Sequence, residues 1–125
     1  MRMSTIIVII TFVKKQQKGD VMRSTTKSTY AADVLESKKA ILLDVWAPWC
    51  APCRGMEPVL DTIAEETKNW AEIIKLDASV EMDLVQELGI SGLPTFLVYK
   101  NGQIVGSSVG AISKVNLLNL LSKAA

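Results

Sequence analysis

Residues 40–47, AILLDVWA, constrain the fold more than any other stretch. Apolar side chains at nearly every position suit a central strand covered on both faces rather than a surface strand that alternates. Such a strand needs neighbours on both edges and helices above and below. From about Val21 the chain supplies them, alternating short apolar runs with helical patterns in the order expected of an α/β domain. IIKL at 73–76 and TFLVY at 95–99 are further strand candidates. Asn101-Gly102 between TFLVYK and QIVGSSV predicts a hairpin, so the last two strands should be antiparallel neighbours. Helices are expected over 29–37, from Cys50 to about Lys68, over 81–88 with Gly89 as the stop, and over 113–123. Leu84, Val85 and Leu88, like Leu117, Leu118 and Leu121, read as core-facing stripes at helical spacing. Pro58 should kink the long helix, because it removes one backbone hydrogen bond. Trp70 is expected to serve packing alone.

With 125 residues and 49% hydrophobic content, the chain can bury the core of one domain without disulfide staples. Fourteen basic residues against 13 acidic ones leave a net charge of +1, so nucleic acid is not an expected partner. Histidine is absent, which removes both the commonest general base and the commonest metal ligand. Two cysteines alone cannot supply a structural zinc site or an iron–sulfur cluster. Neither a metal nor a bound cofactor is therefore expected.

Residues 1–19 read as an extension to a domain spanning 20–125. Their apolar run, 6–13, is shorter than the ~20 residues a membrane-spanning helix needs. An export signal would place small residues at a cleavage site after it, whereas this chain places Lys14, Lys15 and Lys18 there. A non-cleaved arm is the favoured reading and an export or anchor segment the alternative.

Both cysteines lie in Cys50-Ala51-Pro52-Cys53, directly after the buried run. At i and i+3 on a first helical turn their sulfurs share one face, at a separation that suits a disulfide. Pro52 is tolerated there because the missing N–H would be unpaired anyway. The helix dipole favours a thiolate at Cys50, but by only about 0.3–1 kcal/mol. Lowering a thiol from about 8.5 to about 7 takes roughly 2 kcal/mol. Hydrogen bonds to the sulfur must supply the rest, from the Cys53 thiol and nearby backbone N–H groups. Cys50 is then the nucleophile and Cys53 the resolving thiol. A static disulfide closing so short a loop would add little stability, so redox use is the stronger reading.

These landmarks, in order, resemble the thioredoxin family: LLDVWAPWCAPC, Pro58, KLDAS, Leu93-Pro94-Thr95, KNG and Val109-Gly110-Ala111. The resemblance covers everything but the extension. It implies a mixed five-stranded sheet flanked by about four helices, with the dithiol at a strand-to-helix junction. The implied activity is reduction of protein disulfides, with electrons from a thioredoxin reductase. Asp44 matches the family's proton acceptor for the second thiol; a charge within so apolar a run should bind its proton tightly. A solvent-facing place on an edge strand is the alternative for it. Lys75 matches the lysine beside that carboxylate, or is a surface lysine. Pro94 matches the proline whose cis peptide bond faces the dithiol, leaving backbone groups of Gly92 and Leu93 for strand-like pairing with a substrate. Trp49, Pro52, Gly92, Leu93, Gly110 and Ala111 would line a shallow apolar groove around Cys50, while Trp46 suits core and site equally.

Ala51 replaces the glycine commonest in the family and bears on redox poise. Proline still precedes the second cysteine, where oxidising relatives typically carry histidine, so a reductant is favoured. Val45 replaces the usual phenylalanine. The resulting expectation is a monomeric, cytoplasmic protein-disulfide reductase. Two alternatives stand beside it: a membrane-tethered or exported relative serving cytochrome maturation or disulfide isomerisation, and a non-enzymatic subunit that binds a partner through the groove near Pro94.

Overall fold

A computed structural model describes residues 22–125; the expectations for residues 1–19 lie outside them. Strand β2 (Ala40–Trp46) is the centre of a five-stranded sheet ordered β1-β3-β2-β4-β5, with β1 Arg23–Ser24, β3 Ala71–Asp77, β4 Thr95–Lys100 and β5 Gln103–Val109. It runs parallel to β3 and antiparallel to β4. Both of its edges are paired, and every side chain from Ala40 to Val45 is buried. The continuous apolar run requires such a place, and Asp44 accordingly lies in the interior rather than on an edge strand.

Helices cover both faces. Following β2 come α1 (Ala51–Gly55) and α2 (Glu57–Thr67), then α3 (Met82–Glu87) after β3 and α4 (Lys114–Leu121) after β5. A π-helical turn, Ala31–Leu35, precedes β2, and a 3-10 turn, Ser122–Ala124, follows α4. Leu60 and Ile63 of α2 and Leu117 and Leu121 of α4 pack on Leu42, Ile73, Phe96 and Val98. On the opposite face Val34 and Leu84 pack on Ile41, Leu43, Val45, Ile74 and Leu76. Successive β2 residues thus feed opposite cores, as strand geometry requires.

The expected long helix from Cys50 to Lys68 is two helices joined at Met56. Pro58, at the start of α2, has no N–H to return to the Arg54 carbonyl. The buried Met56 side chain seats the joint in the core. Of the expected helix over 29–37, residues 30–35 are helical, with a bond from the Glu36 N–H to the Ala31 carbonyl at 2.9 Å. Trp70 lies in the turn before β3 with 37% of its surface exposed. Among the described residues no helix is long and apolar enough to cross a membrane.

The β4–β5 hairpin turns on Asn101 (φ 50°) and Gly102 (φ 78°) as its dipeptide predicts. A Cβ on Gly102 would lie 2.7 Å from the Leu35 carbonyl oxygen. Gly102→Ala therefore meets both an unfavourable φ and a backbone clash, and should destabilise the fold by roughly 1–3 kcal/mol in urea unfolding.

Candidate functional site

Cys50 ends the loop after β2 in an extended conformation (φ −91°, ψ 106°) and caps α1, its Sγ accepting the Cys53 N–H at 3.3 Å. This is one of the sulfur hydrogen bonds that the weak helix dipole called for. The two cysteines form a disulfide across a Cα–Cα distance of 5.3 Å. Arg54 ties the helix start to the loop by donating to the Pro48 carbonyl at 2.7 Å. Cys50 and Cys53 pack with Ala47, Trp46 and Leu93, which places Trp46 in the wall of the site.

The Leu93–Pro94 peptide bond is cis. Thr95 Oγ1 donates to the Gly92 carbonyl at 2.6 Å, and the Gly110 N–H donates to the Pro94 carbonyl at 2.7 Å. Among the described residues the Leu93 backbone N–H and carbonyl take no hydrogen bond. Trp49, 71% exposed, stands over a groove of about 530 Å³ that also takes in Cys50, Pro52, Gly92 and Leu93. Ala78, Val85 and Ile90 line it as well, beside Ala51 and Ser91. Those three escaped the sequence reading because Val85 reads only as part of a core stripe and the other two stand in loops. Gly110 reaches the site through its bond to Pro94, but neither it nor Ala111 lines the groove.

Asp44 is 1% exposed, and among the described residues neither carboxyl oxygen has a hydrogen-bond partner. Burial pushes its pKa up to about 7, with Lys75 opposing and Glu57 adding to the rise. Lys75, the register partner of Asp44 on β3, forms an ion pair with Glu57 and lies 4.2 Å from the Trp46 ring centroid. Its side chain is largely buried, 15% exposed. Glu57 is absent from the expected set because its partner is brought in by β3. Among the described residues no group of three or more Cys, Asp or Glu side chains is gathered as a metal-ligand set.

The thioredoxin family model matches residues 21–123. The chain belongs to the thioredoxin family. It is 38% identical over 103 residues to thioredoxin 1 of Synechococcus elongatus, covering 82% of this chain and 96% of that protein. Thioredoxin of Synechocystis is 36% identical over 96 residues, 77% of this chain and 90% of that one. A bifunctional thioredoxin reductase/thioredoxin of Mycobacterium leprae is 38% identical over 106 residues, 85% of this chain but 23% of that longer protein. The Cys50–Cys53 pair makes this thioredoxin a thiol–disulfide oxidoreductase.

The buried carboxyl has a consequence for stability. Asp44 binds its proton more tightly folded than unfolded, so its contribution is full below about pH 4 and is lost as pH rises through about 7. From the ordinary 3.8 to about 7 the difference amounts to roughly 4 kcal/mol. Urea unfolding of the oxidised protein should find Asp44→Asn more stable than wild type by up to that amount at pH 8, with the gap closing near pH 4.

Proposed function

We propose that this thioredoxin reduces protein disulfides in the cytoplasm as a monomer, with residues 20–125 as the working domain and residues 1–19 as a dispensable extension. The Cys50–Cys53 pair at the mouth of an uncharged groove carries this reading. Substrate peptide binds along the groove and pairs with the free Leu93 backbone groups, supported by the absence of competing hydrogen bonds there.

The Cys50 thiolate attacks one sulfur of the substrate disulfide. The Cys50–substrate bond forms, the substrate S–S bond breaks, and the leaving thiolate takes a proton from water. The Cys53 thiol then gives its proton to the Asp44 carboxylate and attacks Cys50 Sγ, expelling the second substrate thiolate. Two electrons have passed to the substrate, and Cys50–Cys53 is left as a disulfide. An acceptor with a pKa near 7 suits this transfer at neutral pH. The Lys75 charge opposes the rise of the Asp44 pKa and so keeps the carboxylate ionised and ready to accept the proton.

Thioredoxins are reduced by a thioredoxin reductase, and the Mycobacterium leprae relative joins both activities in its name. We take a separate reductase to be the donor here, its dithiol returning two electrons to Cys50–Cys53.

Coupled NADPH oxidation with a thioredoxin reductase and a disulfide-containing protein should proceed equally with the full chain and with residues 20–125. Electron flow from a chemical dithiol alone would overturn the reductase assignment. Cys50→Ser should reduce turnover to background, whereas Cys53→Ser should accumulate mixed disulfides visible by mass spectrometry; normal turnover by Cys53→Ser would refute the two-step scheme.

A further inference from the structure

Among the described residues Lys75 has two carboxylates, Asp44 and Glu57, within its field and bonds to Glu57 alone. Asp44 and Lys75 are register partners on adjacent parallel strands, so their side chains leave the same face of the sheet. A buried carboxylate facing a lysine ordinarily takes its ammonium as a direct partner. Instead the ammonium pairs with Glu57 and lies over the Trp46 ring, and both Asp44 oxygens are without a partner among the described residues.

We infer that Glu57 is a positioning residue for the proton-accepting carboxylate: it clamps the Lys75 ammonium against Trp46 and so keeps it from a direct bond to Asp44. The inference rests on the proton-acceptor role of Asp44 proposed above. Glu57 suits the task. It begins α2 immediately after Met56, whose buried side chain fixes where the helix starts. Its side chain is 32% exposed, against 15% for that of Lys75, so the carboxylate keeps some solvation while the ammonium is drawn outward. The Trp46 face supplies a second, cation–π hold on the same ammonium.

Among the described residues the other elements around Asp44 offer no competing charge. Strand β4 sets Phe96 opposite it. From α4 the buried residues are Leu117, Leu120 and Leu121, and α2 adds Leu60 and Ile63 to the same core. Cys50 and Cys53 of the neighbouring loop and α1 are joined in the disulfide. The proton affinity of Asp44 is thereby left to burial, the distant part of Lys75's field, and Glu57. Releasing the clamp would give Asp44 an ammonium partner and remove a negative charge, and both changes would weaken it as a base.

The test is a carboxyl ¹³C NMR titration of Asp44 in the oxidised full chain, on wild type, Glu57→Gln, Lys75→Met and the double variant. Glu57→Gln nearly preserves shape on a partly exposed residue, so folding should be unaffected. Its Asp44 midpoint should fall by about one pH unit, and this fall should shrink to a small remainder in the Lys75→Met background. An unchanged midpoint in Glu57→Gln overturns the inference. So does an equal fall with Lys75 replaced, since Glu57 would then act without the ammonium.

A kinetic arm separates this result from the reading on which it rests. A Cys50 mixed disulfide with an aromatic thiol releases a coloured thiolate when Cys53 attacks, and the pH midpoint of that rate should follow the NMR midpoint in Glu57→Gln. Should Asp44→Asn resolve the mixed disulfide with the wild-type pH profile, the proton-acceptor role fails even where the NMR shift stands. If Asp44→Asn loses the pH limb while Glu57→Gln leaves the midpoint in place, the role stands and the clamp fails.

Discussion

Strand β2 is bonded along both edges and packed on both faces, and the rest of the molecule is arranged to permit this. The parallel neighbour β3 requires a crossover helix, which α1 and α2 supply, while the antiparallel β4 is reached from the far side of the sheet. Because α1 begins where β2 leaves the sheet, the dithiol is carried by the most constrained strand of the fold. Its position is set by the short loop after β2 and by the packing of Cys50 and Cys53 on Ala47, Trp46 and Leu93. In the proposed mechanism that rigidity keeps the partner sulfur and the proton acceptor within reach of the nucleophile.

The same strand bears the principal electrostatic cost. A carboxyl inside the apolar layer destabilises the charged form by desolvation. The fold tolerates this because the group is free to take up a proton. Under the proposed mechanism stability and reactivity are opposed at Asp44: the burial that raises its pKa toward neutrality also weakens the folded state there.

Features written in local sequence were legible. The apolar density of β2, the Asn-Gly turn and the spacing of the cysteines each involve neighbours along the chain, so propensity and periodicity suffice to read them. Strand β1 is two exposed residues, Arg23 and Ser24, held by pairing to β3 and by Arg23 ion pairs with Asp33 and Glu72. No run of apolar residues announces it, and only the family resemblance implied a fifth strand. Glu57 was missed for a related reason. Its significance comes from Lys75, eighteen positions away, and from the register that sets Lys75 beside Asp44. The groove likewise draws Ala78 and Ile90 from loops whose approach to Cys50 is decided by the whole sheet. Trp46 was ambiguous because it packs against the cysteines and also lies under the Lys75 ammonium.

The break at Met56 separates two kinds of obligation along the chain. Beyond it, α2 is bound to the core through Leu60, Ile63 and Ala64. Before it, α1 is a single short turn in which Ala51, Pro52, Arg54 and Gly55 all face solvent and Cys53 alone is buried. The dipeptide between the cysteines is thus a replaceable cassette. Natural variation there can retune the electron affinity of the couple without disturbing the interior, so lineages sharing this scaffold are free to diverge in redox poise while inheriting the same architecture.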